Sequence, residues 1–360
     1  MTKFEKLFSK FHLGNLTLSN RTVVAPMTRI SATEDGLATE RMARYYANFA
    51  NGGFGLLISE GTYLDETYSQ SYLNQPGIAN EAQVESWKKV THAVHQQGSN
   101  IFCQLMYSGA LSQGNSYTNE TIAPSSVKPK TEPALAGTGR TEFFLPREMT
   151  YDDIQAVINS FADSAVRARE AGFDGVEIHG ANGYLLDQFL TDYTNQRTDK
   201  YGGSIENRVR LMVEVIQAVR KAVGSMFVVG IRVSQTKVND YHHKWASGEK
   251  EAEVIFKSLG KAGVDFIHIN EYDATKPAFD DKSSSLAAFA KKYAGVAVIA
   301  CGHLEDPSKG ETLLSRGEAD LIALGKGALA NPDWINKVVE GSSLSTLEDF
   351  TYPIKDKELL

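Results

Sequence analysis

His179, Asn182 and Tyr184 bring three hydrogen-bond-donating side chains within six positions of one another, with Gly180 and Gly183 interleaved. Their chemistry is donation to a bound ligand, and a strand that ends in such a cluster is a candidate site. The two glycines allow the tight turns that could converge the three side chains. The apolar run 176–178 just before them is too short for a helix and reads as a buried strand. Beyond a polar loop, Tyr201-Gly202-Gly203 leads through Ser204 and Asn207 to Leu211, Met212, Val215, Ile216 and Val219 at helical spacing, stopped by Gly224. The unit is strand, functional loop, helix.

The same rhythm runs along the chain. Short apolar runs at 21–26, 54–59, 101–106, 227–233, 266–270, 296–300 and 321–324 read as further strands. Helical patterns lie between them at 39–51, 81–97, 154–166, 249–259, 285–293 and 307–316, and a last helix starts at Asn331-Pro332. Eight parallel-type strands, each followed by a helix, predict an α/β fold, a (β/α)8 TIM barrel. The alternating stretches around Gly14-Asn15 predict an N-terminal hairpin covering one end of it. The segment 107–149, with prolines at 124, 129, 133 and 146, is far longer than an ordinary connection. Because the rhythm resumes afterwards, it reads as a lid or hairpin insertion after the third strand, and 1–360 as one domain.

In such a barrel the chemistry sits at the C-terminal ends of the strands. Thr28, Glu60, Gln104, Arg232, Asn270, Gly302, and Gly325 with Lys326 fall there beside the central trio. The glycine-bearing ends of strands seven and eight, backed by Lys326, match the barrel phosphate site and imply a phosphorylated ligand. Singly, Thr28 or Gln104 reads as a locally satisfied polar group, Arg232 as half of a structural ion pair and His268 as a core imidazole. His242-His243 lacks neighbouring ligand spacing and reads as a solvated loop. Together the polar set is hard to explain as barrel packing, because each buried polar group needs a partner.

Net charge is −7, from 37 basic and 44 acidic residues, and the charges are dispersed. That argues against a nucleic-acid or membrane-surface partner. Cys103 and Cys301, the two cysteines, are too few for a four-cysteine cluster and read as buried thiols. The N-terminus has no apolar signal core, and no run approaches the ~18 residues of a membrane span, so the expected setting is cytoplasmic.

The His179-x-x-Asn182-x-Tyr184 arrangement and the following RTDKYGGSIENR closely resemble the Old Yellow Enzyme family of FMN-dependent oxidoreductases. The resemblance extends from Ala25-Pro26-Met27-Thr28 to Lys326. It implies tightly but non-covalently bound FMN across the barrel mouth, with Pro26, Met27 and Thr28 on its inner edge. Gln104 and Arg232 would meet the pyrimidine ring, and Gly302, His303, Gly325 and Lys326 the phosphate. Lys326 departs from the family's usual Arg, replacing a bidentate fork with a point charge.

By the same resemblance NADH or NADPH is the reductant, and an activated alkene, an α,β-unsaturated carbonyl or nitro compound, follows it in ping-pong fashion. His179 and Asn182 would bind the substrate oxygen and Tyr184 would protonate the α-carbon. Thr28 and Asn182 resemble the classical branch. Such barrels are often assembled as dimers or tetramers. Two other readings stay open. One is a non-catalytic FMN-binding sensor; the other is a phosphate-binding lyase or aldolase, for which no strand shows the interior Lys that a Schiff base needs.

Overall fold

The short apolar runs become parallel strands that close into a ring. The computed structural model describes residues 3–131, 141–280 and 282–347. Its barrel strands are β1 (Thr22–Val24), β2 (Leu56–Ile58), β3 (Asn100–Met106), β4 (Gly175–Asn182), β5 (Val228–Lys237), β6 (Phe266–Asn270), β7 (Ala297–Cys301) and β8 (Leu321–Leu324). Every neighbouring pair is parallel; β8 pairs with β1, and the β2–β3 pairing completes the circle. Closure leaves no open edge. One helix follows each strand in turn: α1 (Glu40–Asn51), α2 (Glu81–His95), α3 (Tyr151–Glu170), α4 (Arg210–Val223), α5 (Glu249–Ala262), α6 (Leu286–Ala294), α7 (Pro307–Ser315) and α8 (Trp334–Glu340). The fold is a (β/α)8 barrel.

Strand periodicity divides the apolar residues between two cores. Val176 and Ile178 of β4 pack outward with Leu211, Met212 and Val215 of α4. Val23, Leu56, Phe102, Phe266, Ile299 and Leu321 fill the barrel interior. Two short antiparallel strands, Phe11–Leu13 and Leu16–Leu18, add Leu13 and Leu18 to that interior cluster. Burying each leucine is worth about 1.5–3 kcal/mol. Local signals set the helix starts: Thr150 and Asp153 form a reciprocal capping box on α3, and Ser285 caps α6.

Three elements differ from the sequence expectation. β5 continues past 233 to Lys237, because tertiary partners satisfy its polar end, with a register shift after Val233. Asn331-Pro332 lies between a short helix, Lys326–Ala330, and α8, whose start is Trp334. Asn331 instead donates from Nδ2 to the Gly327 and Ser345 carbonyls. In the insertion at 107–149, of which 132–140 lie outside the described residues, Ile122–Ala123 pairs with Arg147–Glu148 in parallel, so this pair is not a hairpin. Arg197 ties both sides of the insertion to the barrel through the Pro124 and Met149 carbonyls, 3.0 and 2.7 Å from its Nη1. Among the described residues no helix is long and apolar enough to cross a membrane.

Candidate active site

β4 delivers the central trio. His179 follows Glu177 on its inward-facing row, and Asn182 (φ 62°) and Gly183 (φ 87°) then turn the chain through the left-handed region. An asparagine adopts that conformation more readily than a β-branched residue. Asp187 holds the turn by accepting from the Gly183 N–H at 2.6 Å, and Lys237 grips the same carboxylate at 2.8 and 2.9 Å. Tyr184 follows, its ring edge-on to His179 with centroids 5.1 Å apart. Its phenol oxygen lies 2.5 Å from that of Tyr72.

The state of His179 follows from its surroundings. Burial, with the Arg232 and His268 charges adding to it, holds its pKa well below the ordinary imidazole value. The ring is therefore neutral near pH 7. Nδ1 accepts from the Ala181 N–H at 3.4 Å, so the proton is on Nε2, which is left as a donor.

Beneath the trio lies a buried polar layer. Glu177 points into the barrel, where Oε1 accepts from Gln104 Nε2 at 2.8 Å and Oε2 faces His268 Nδ1 at 2.7 Å. Burial pulls the His268 pKa down, but the facing Glu177 and Cys301 push it up by more, so the net shift is upward. Burial likewise opposes ionisation of the Cys301 thiol, yet His268 and Arg232 draw its pKa below the usual value. Because a carboxylate only accepts, Gln104 must present its nitrogen to Glu177, which leaves its carbonyl oxygen turned away. Arg232 Nη2 donates to Asn270 Oδ1 at 2.8 Å, and its buried Nε–H has no partner among the described residues. Among the described residues no carboxylate pairs with Arg232, so it is not half of a structural ion pair.

The rim is a cleft of about 330 Å³ whose lining includes Asn182, Asn270, Gly302, His303, Gly325 and Lys326. Lys326 and His303 are exposed there, and the His303 ring lies 4.6 Å from that of Tyr272. Pro26 is buried, while Met27 and Thr28 are half-buried on the turn after β1. Glu60 shapes that turn by accepting from the Arg29 and Ile30 N–H groups at 2.8 and 3.1 Å.

Most of the expected site residues lie at the C-terminal strand ends, with Gln104 and Arg232 inside β3 and β5, but several important partners escaped sequence reading. Glu177 is two positions before His179, and strand period alone places both on the inward face. Tyr72 carries no local signal. Lys237 is an interior lysine, contrary to the expectation that none exists. Its three N–H bonds go to both Asp187 oxygens and to the Gln235 carbonyl, 3.2 Å away, so it is no free amine for a Schiff base. His243 bonds the Gln235 carbonyl, and among the described residues no group of His, Cys, Asp and Glu could hold a metal ion.

A flavin suits this donor set. A buried, unpartnered guanidinium N–H costs about 1–3 kcal/mol unless a ligand accepts from it, and the pyrimidine carbonyl and ring nitrogen are acceptors of that kind. A family model described as the NADH:flavin oxidoreductase / NADH oxidase family matches residues 6–345. The chain belongs to this family.

Within the NADH:flavin oxidoreductase family, the chain is 36% identical over 350 residues to a probable flavin mononucleotide-dependent alkene reductase of Leishmania infantum, covering 94% of this chain and 92% of that one. It is 34% identical over 350 residues to an NADH oxidase of Thermoanaerobacter brockii, covering 95% of this chain but only 52% of that longer protein. An Old Yellow Enzyme homologue from Zymomonas mobilis superposes with a TM-score of 0.86 at 32% identity, covering 94% of each chain. This NADH:flavin oxidoreductase is accordingly an Old Yellow Enzyme-like, FMN-dependent enzyme.

Proposed function

We propose that the protein reduces activated C=C bonds of α,β-unsaturated carbonyl or nitro compounds, with NADH or NADPH as reductant. What supports this reading is a neutral His179 and Asn182 at the end of one strand with Tyr184 just beyond it, the His179 and Tyr184 rings lying 5.1 Å apart. His179 Nε2–H and the Asn182 amide hold the substrate oxygen and stabilise the negative charge that grows on it. Tyr184 gives its proton to the α-carbon, and Tyr72 supports the phenolate left behind. FMN, when bound, would supply the hydride chemistry that links nicotinamide and alkene.

Pro26, Met27 and Thr28 would line the inner edge of the cofactor, Gln104 and Arg232 would take its pyrimidine, and Gly302, His303, Gly325 and Lys326 would take its phosphate. Arg232 would place a positive charge beside the cofactor's pyrimidine ring. Residues 107–149 act as a lid on the single barrel domain, a role supported by the burial of Phe143 among Tyr72, Met106, Leu111 and Tyr184. A cytoplasmic setting, where NAD(P)H is available, fits this chemistry.

The test is an anaerobic visible spectrum during addition of NADH or NADPH and then 2-cyclohexenone. The flavin band should bleach with the nucleotide and return with the enone. A band that never bleaches would point to a sensor, and no flavin band after adding FMN would overturn the assignment.

A further inference from the structure

We propose that Asn270 is a positioning residue: it turns the Asn182 amide so that its NH2 group faces the substrate oxygen, with the direction imposed by Arg232. This rests on the reading that Asn182 binds that oxygen.

One chain of hydrogen bonds imposes the orientation. A guanidinium has donors and no acceptor, so the Asn270 atom 2.8 Å from Arg232 Nη2 is its carbonyl oxygen. Asn270 Nδ2 then points the other way, 2.9 Å from Asn182, and as a donor it can meet only the Asn182 oxygen. The remaining end of Asn182 is its NH2 group. Both residues line the cleft.

The backbone of Asn182 has little freedom to compensate. Its N–H donates to Ser234 Oγ at 2.8 Å, its carbonyl accepts from the Val238 N–H at 3.1 Å, and Asp187 holds the next residue. What is left is rotation of the terminal amide, whose two ends have nearly the same shape and opposite polarity. An oxygen aimed at a developing oxyanion repels it, whereas an NH2 group stabilises it. A fixed cation on β5 thus sets the polarity of two amides in series, on β6 and β4.

The experiment is a double-mutant cycle on FMN-loaded protein, read as the Kd for 4-hydroxybenzaldehyde. Asn270→Asp offers acceptors to both neighbours, so Asn182 must turn its nitrogen inward and its oxygen outward. Asn182→Ala and Asn270→Asp should each raise Kd about tenfold or more. The double variant should be no worse than Asn182→Ala alone. Asn270→Ala, which frees the amide without inverting it, should give a smaller rise that also vanishes in the Asn182→Ala background, and it serves if the Asp variant does not hold FMN.

Multiplying effects would mean that Asn270 acts through charge or general loosening, which overturns the proposal. So would an unchanged Kd in both Asn270 variants while Asn182→Ala weakens binding. If Asn182→Ala itself leaves Kd unchanged, the substrate-site reading falls together with the proposal.

Discussion

Tyr72 and Tyr184 face each other across 2.5 Å between phenolic oxygens, both rings buried, although 112 positions separate them in the chain. On the proposed function, proton donation from Tyr184 would leave a phenolate in a buried site, and Tyr72 is placed to donate to it. A hydrogen bond to a charged group is worth about 1.5–3 kcal/mol, on the order of 10–100-fold in rate. Tyr72→Phe should slow enone reduction by that factor while leaving flavin reduction by NADH largely intact, and Tyr184→Phe should do the same more severely. Stopped-flow measurement of the two half-reactions separates these effects; equal losses in both would refute the roles.

Glu60 supplies a pH signature. Burial pushes its carboxyl up to about 7, against the pull of the Arg29 and Ile30 N–H groups. Between its ordinary value of 4.5 and about 7, the folded protein keeps a proton that the unfolded chain has released. Unfolding then releases a proton, so this contribution to stability falls as pH rises through that window and levels off above it. Glu60→Gln keeps an oxygen for the two N–H groups and removes the titration. Urea midpoints of wild type relative to variant should therefore decline between about pH 5 and about pH 8, and parallel curves would rule the account out.

The Lys237–Asp187 pair is almost fully buried, at 2% and 0% side-chain exposure. Lys237→Met strands a carboxylate without its counter-ion, at a cost of about 3–5 kcal/mol. Adding Asp187→Asn should recover much of that loss, since the amide is neutral and its oxygen can still accept from Gly183. Denaturant midpoints of the single and double variants check this; a double variant no more stable than Lys237→Met would count against charge burial as the cause.

Glu177→Gln tests the buried layer. Its amide can offer either end to Gln104, so Gln104 no longer has a dictated orientation, and His268 loses its counter-charge. FMN affinity of the apoprotein should fall by about tenfold, corresponding to one misdirected hydrogen bond. Quenching of FMN fluorescence on titration with apoprotein measures this directly, and unchanged affinity would mean that Gln104 does not depend on Glu177.

The strand-and-helix rhythm, the turn after β4 and the polar residues at strand ends were legible because they are local: runs of apolar residues, glycines and caps report on a few neighbouring positions. Whole-chain resemblance added the flavin. The insertion was legible only as an interruption, since nothing local distinguishes a parallel pairing across 23 intervening residues, 124–146, from a hairpin.

Residue types and order by themselves determined an eight-fold βα alternation and which side chains would stand at the mouth of a barrel. Only tertiary structure decided which of them meet. Gln104 finds Glu177 at 73 positions, His268 finds Glu177 at 91, and Arg232 finds Asn270 at 38. Strand period says that a residue points inward, but the register in which the ring closes selects its partner. That register is set by the packing of the whole barrel, and the partner in turn fixes proton positions and amide directions at the site.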